Sequence, residues 1–272
     1  MKRRTKTLLI PYLLWNSITI CVFACMHLFL PNFINPEFQN VPSWDWTNYL
    51  NAFWKGSGGF PINYQLWFLR DLIVLMVFTP LFYLCINKVG DFRWLVLLVV
   101  GYLYYLDIHG IAFGVFYFYV GSLIAYLVRN KKIPNLSSTA HYIYFFGGGV
   151  ISVFASMIIL AVILETLPQW HNPIMRVSGT ISYILICIML TKNSILIPKC
   201  LRDCSFFVYL FHSLPLMVTG RVLVNILKPN TTILLIAAYI LNVVIIIGSG
   251  VLIYYFLRKF FPRITFIMCG GR

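Results

Sequence analysis

Apolar residues in this chain gather into blocks long enough to cross a bilayer, and the polar residues between the blocks mark the turns. Leu8–Leu30 is apolar, with Asn16 and His27 inside it. Gln65–Asn87 begins polar and turns apolar after Asp71. Trp94–Val128 is a run of 35 residues interrupted by Asp107, His109 and Gly110. One helix of that length would be roughly 50 Å long at about 1.5 Å per residue, against a hydrocarbon core of about 30 Å. The run is therefore predicted to be two short spans. Tyr142–Leu164, Pro173–Thr191, Ser205–Ile226 and Thr232–Leu257 complete the pattern. The expected fold is all-α, a polytopic transmembrane helix bundle of about eight spans. With no long soluble segment, residues 1–272 read as a single integral-membrane domain.

Composition agrees with that class. Hydrophobic residues make up 60% of the chain and charged residues 10%, where soluble domains hold roughly 45–50% and about 25%. Charge then adds sidedness, because Lys and Arg favour cytoplasmic loops. Sixteen of the 21 Lys and Arg fall on one side of an eight-span topology. They are Lys2, Arg3, Arg4 and Lys6, then Lys88 and Arg93, then Arg129, Lys131 and Lys132. Lys192, Lys199 and Arg202 follow, and Arg258, Lys259, Arg263 and Arg272 end the series. Both termini are predicted to be cytoplasmic. The net charge of +14 is accounted for by topology, and no nucleic-acid partner is expected. The first span has a basic start but no small-residue cleavage site, so it reads as a span rather than a signal peptide.

The largest outer loop, Pro31–Tyr64, carries Trp44, Trp46, Tyr49, Phe53 and Trp54. Aromatics there suit the membrane–water interface or the wall of a substrate cleft. Gly147, Gly148 and Gly149 lie inside an apolar run, where small residues allow close helix approach. The seven cysteines are scattered, and neither metal-ligand spacing nor a nucleotide loop is present.

Three polar clusters carry candidate chemistry, because an ionisable group in the hydrocarbon core marks a site or a structural pair. Arg70 and Asp71 sit just inside the second span, next to Trp67. Arg70 reads either as a salt-bridge or snorkelling anchor, or as a contact to an anion or acyl carbonyl in a cleft. Asp71 would orient it. Ser205, Tyr209 and His212 share one helical face by their spacing. His212 can act as a general base with Tyr209 or Ser205 bonded to it, or the stripe can be an interhelical clamp. Arg3, Arg4 and Lys6 precede Leu8. They serve topology alone or also a phosphorylated ligand.

In this order along the chain, the clusters resemble the acyltransferase family 3 proteins, integral-membrane O-acyltransferases of sugars and surface polysaccharides. The basic start with Pro11 and Tyr12 resembles the family's Arg-x-x-Arg region and Pro-Tyr helix, with Lys6 in place of the second Arg. Trp67-Phe68-Leu69 resembles its Trp-Phe-Leu helix, and Phe116–Gly121 a Phe-rich, Gly-containing span. Ser205 with Tyr209-Leu210-Phe211-His212 resembles its late Tyr-x-x-His helix, and Gly270-Gly271-Arg272 some of its endings.

The resemblance implies transfer of an acyl group, expected to be acetyl, from acyl-coenzyme A to a sugar or glycan hydroxyl. The enzyme would be multi-pass in the plasma or inner membrane. Acyl-coenzyme A would be a cosubstrate, with no bound cofactor and no metal. Arg3, Arg4 and Lys6 would contact donor phosphates. Trp67 and Asp71 would bind substrate, and His212, Tyr209 and Arg70 would serve the reaction. The family carries ten spans, with an Arg and a His in the first. The chain is accordingly expected to be N-terminally short and, alone, inactive. Other readings are a secondary transporter or lipid-linked glycan flippase, and an inactive fragment. Transporters often show repeated halves, and no internal repeat is visible here.

Overall fold

The computed structural model describes residues 2–29, 41–55, 59–88, 90, 92–105, 111–130, 173–192 and 198–271, with 151 and 155. Its elements are helical. They are α1 Lys2–Phe29, α2 Trp46–Trp54, α3 Trp67–Val77, α4 Thr79–Asn87, α5 Phe92–Tyr105, α6 Ile111–Arg129, α7 Pro173–Lys192, α8 Lys199–Phe211, α9 Ser213–Leu227, α10 Thr232–Phe260 and α11 Pro262–Met268. Short 3₁₀ turns at Val41–Ser43 and Tyr64–Leu66 precede α2 and α3. Among the described helices, Thr7–Phe29 and Thr232–Phe260 are each long and apolar enough to cross a membrane, and up to four spans result if two bent pairs count as one each. The expected span Tyr142–Leu164, with its glycine triplet, lies outside the described residues apart from 151 and 155.

Two expected spans are broken, and proline is the reason in both. Gln65–Asn87 divides at Phe78 because Pro80 has no N–H to extend α3 and sits at the start of α4. Ser205–Ile226 divides at His212, bent by 64°, because Pro215 cannot donate back to Phe211. The long run does separate as expected, with α5 ending at Tyr105 and α6 starting at Ile111. The basic start is not a loop before the first span; it is the first turns of α1 itself.

The chain divides into two compact units, Met1–Val74 with Ile197–Arg272, and Leu75–Leu196. In the second unit, Ile86, Tyr119 and Leu123 form a core with Phe82, Val96 and Leu97 around them. The Tyr119 hydroxyl donates to the Arg93 carbonyl at 2.9 Å, and the Arg93 guanidinium lies over Tyr126.

In the first unit, α1 buries Leu8, Tyr12, Trp15, Asn16, Thr19 and Phe23, one face at helical spacing. Helix α10 buries Ala238, Asn242, Ile246, Gly250 and Tyr254, a strict four-residue ridge. Phe207 joins the two, edge-on to Trp15 at 5.5 Å and against Tyr254 at 5.7 Å. Gly250 keeps α10 close to α8, where a Cβ would stand 3.2 Å from Val208. Thr219 donates to Asn242, clamping α9 to α10 within apolar surroundings.

The chain's end docks on α1. Pro11 has no N–H for the Thr7 carbonyl, and Gly270, at φ +67°, packs on that carbonyl where a Cβ would overlap it.

Candidate active site

The first unit gathers its polar side chains around Asn63 and the short 3₁₀ turn Tyr64–Leu66 that leads into α3. Asn63 donates its backbone N–H to Asn16 Oδ1 at 3.3 Å and accepts from the Ser213 hydroxyl at 2.7 Å. The Tyr209 hydroxyl donates to the Gln65 carbonyl at 2.8 Å. Asn16 in turn donates to the Tyr12 carbonyl one turn back. Thus α1, α8 and α9 each hold one point of residues 63–65. Leu66, fully buried, fixes the same stretch from the apolar side.

Beside it lies the end of α2. The last four carbonyls of a helix lack partners within the helix, and here all four are satisfied. Asn51 accepts from the Lys55 N–H and Ala52 from the Ile62 N–H, both at 2.7 Å. Phe53 accepts from the Tyr12 hydroxyl and Trp54 from the Arg70 guanidinium, the latter at 2.7 Å. A cation at a helix C-terminus is also favoured by the macrodipole. Arg70 donates further to the Gly59 carbonyl at 3.1 Å and to Asp71 Oδ1 at 2.9 Å, and it lies over the Trp54 ring.

Among the described residues, two buried side-chain atoms in this region have no hydrogen-bond partner. Asp71 Oδ2 and Asn63 Nδ2 are buried without a hydrogen bond, in residues 2% and 1% exposed. A buried polar atom left so costs roughly 1–3 kcal/mol. One is an acceptor and the other a donor.

At the bend between α8 and α9, His212 Nδ1 lies 2.7 Å from the Tyr209 carbonyl and 3.2 Å from that of Val208. A carbonyl only accepts, so Nδ1 carries the proton in the neutral ring and Nε2 holds the lone pair. That is the tautomer a general base at Nε2 requires. The expected bond between His212 and Tyr209 or Ser205 is not the one observed. Tyr209 reaches across to Gln65, and Ser205 bonds back to the Arg202 carbonyl at 2.9 Å. Short polar side chains take the nearest helix carbonyl when one is in reach.

The remaining expected residues are spread more widely. Trp67 is half-buried and edge-on to Phe68. Arg3, Arg4 and Lys6 lie in the first turns of α1, and their side chains are outside the described residues. The macrodipole disfavours cations at that end, so helix stability does not explain them. Sequence reasoning passed over Asn63, Ser213 and the capping role of Tyr12. The rule that picked out Arg70, a polar group next to an apolar run, applies equally to Asn63.

Against known proteins, residues 1–266 match the family model described as an acyltransferase domain, that of acyltransferase family 3. The chain belongs to acyltransferase family 3. No curated protein and no solved structure matches it. This family member is a membrane acyltransferase acting on groups other than aminoacyl groups.

Proposed function

We propose that this acyltransferase moves an acetyl group from acetyl-coenzyme A to a hydroxyl of a sugar or surface glycan. The acceptor oxygen attacks the thioester carbonyl carbon; its O–C bond forms as the C–S bond breaks. The hydroxyl proton passes to His212 Nε2 and from there to the departing thiolate, so charge balances without a metal or redox partner.

The observation that carries this reading is the pair of buried atoms without partners, Asp71 Oδ2 and Asn63 Nδ2. Asp71 Oδ2 accepts from an acceptor hydroxyl, and Asn63 Nδ2 donates to a carbonyl oxygen that is gaining charge. Arg70, Tyr12 and Tyr209 act on the reaction through other groups, by holding α2 and residues 63–65 in place. Arg3, Arg4 and Lys6 bind the donor's phosphates, aided by the anion preference of the α1 N-terminus. That assignment puts the donor on the cytoplasmic side of a multi-pass plasma-membrane enzyme with both termini inside.

The test is transfer of label from acetyl-coenzyme A to glycan in membranes. Asn63→Leu and Asp71→Asn should each lower turnover at least tenfold, after correction for folded protein. Normal turnover in both would refute the assignment of this site.

A further inference from the structure

Beside the polar centre, α1 and α9 enclose a groove of about 400 Å³. Its walls include Val22 and Met26 of α1 and Leu214 and Val218 of α9, with Trp15 and Phe211 at one end. Thr219 contributes one hydroxyl, and Arg221 is the only charged residue among the described ones that line it.

The groove is built by the backbone. The bend at His212 turns α9 relative to α8, and Pro215 lies in its wall. Trp15 is held rigid, donating its indole N–H to the Met268 carbonyl at 3.3 Å and meeting Phe207 edge-on at 5.5 Å. Ligand sites of roughly 300–1,000 Å³ with an apolar lining and few polar groups are the usual form for small amphiphiles. A preformed wall lowers the ordering cost of binding.

Size and charge together select the occupant. At roughly 30 Å³ per water-sized group, the volume holds about thirteen such groups, enough for one hydrocarbon chain and too little for two. From Trp15 to Met26 the α1 wall is about 16 Å long at the standard rise. Arg221, about two and a half turns past the bend, offers the planar fork that binds phosphate oxygens in pairs.

We propose that the groove between α1 and α9 binds a single-chain lipid phosphate, its tail along Val22, Met26 and Val218 and its phosphate at Arg221. Such a lipid can carry the acceptor sugar, and Phe211 and Leu214 of the groove's wall flank His212 and Ser213 in the chain. This use of the site rests on the acyl-transfer reading; binding itself is measured without transfer.

The full chain in phosphatidylcholine nanodiscs is titrated with farnesyl phosphate, and separately with farnesol. Farnesyl phosphate should bind at least tenfold more tightly. Arg221→Gln should abolish that preference and leave farnesol binding unchanged. Val22→Trp, which fills the groove, should weaken both ligands at least tenfold. Val218→Trp on the opposite wall repeats the test should Val22→Trp lower thermal stability. The proposal is overturned if Arg221→Gln binds farnesyl phosphate as the unaltered chain does, or if both groove-filling variants bind normally. It is also overturned if two-chain phosphatidylglycerol or a fatty acid competes equally well. Lipid-phosphate binding without acetyl transfer refutes the transfer reading alone; transfer without such binding refutes this proposal alone.

Discussion

Separating Arg70 from Asp71 tests whether the pair holds the site together. Their side chains are 11% and 3% exposed, with 2.9 Å between Nε and Oδ1. At an effective dielectric near 20, that distance gives a Coulomb ceiling of about 6 kcal/mol. Removing one partner of a buried pair costs about 3–5 kcal/mol in practice, because the other charge stays behind. Asp71→Asn belongs at the low end, since Arg70 keeps the Trp54 and Gly59 carbonyls. Arg70→Gln belongs at the high end, since it strands the carboxylate and uncaps α2 as well. With about 2–4 °C of Tm per kcal/mol, the expected losses are about 6–12 °C and about 10–20 °C. The double variant leaves no unpaired charge, so its loss should fall short of the sum by about 2 kcal/mol or more. The assay is thermal unfolding of purified protein in one detergent, followed by a thiol-reactive dye and by tryptophan fluorescence. Single effects that add within about 0.5 kcal/mol would show that the groups do not interact, and the positioning role of Arg70 would fall with them.

Further outcomes follow from other parts of the first unit. Gly270→Ala should lower Tm more than Gly59→Ala does, because both have positive φ but a Cβ at Gly59 meets nothing within 4 Å while one at Gly270 meets the Thr7 carbonyl; equal shifts would remove the docking of the C-terminus on α1. His212→Asn keeps a donor at the Nδ1 position for the Tyr209 carbonyl but loses Nε2, so turnover should collapse with little change in Tm. Normal turnover in that variant would make His212 a clamp. The Asp45 carboxyl is held below the usual carboxylate range, chiefly by the Asn48 N–H and then by Thr47. Its contribution to α2 is full above the ordinary carboxylate range and lost as pH falls through its lowered pKa, a loss that Asp45→Asn should abolish in Trp fluorescence titrations. Single cysteines at Ser57 and Asn135 on a cysteine-free background should label from outside at Ser57 only; the reverse pattern would overturn the sidedness drawn from the basic residues.

Apolar run length located the long helices among the described residues, because a span must satisfy its own backbone and stay apolar throughout. It did not register the breaks, although Pro80 and Pro215 were in plain view. An apolar run looks the same whether or not a missing N–H interrupts it, and only the hydrogen-bond rule shows the bend. The site divides the same way. Spacing placed Ser205, Tyr209 and His212 on one face but could not choose partners, because those lie either one turn away or far along the chain. Tyr209 bonds to a carbonyl 144 positions distant, and Tyr12 caps α2 from 41 positions away. Capping is a need of the helix end, so its signal sits on α2, while the groups that meet it belong to α1 and α3. The same need explains why so many polar residues converge there. A helix end leaves four carbonyls without partners inside the helix; the Lys55 and Ile62 N–H groups meet two of them, and Tyr12 and Arg70 meet the other two. Asn63 and the 3₁₀ turn that follows it make a like demand, met by Asn16, Tyr209 and Ser213. Once those demands are met, Asp71 Oδ2 and Asn63 Nδ2 are the buried side-chain atoms of this centre that remain unmatched among the described residues.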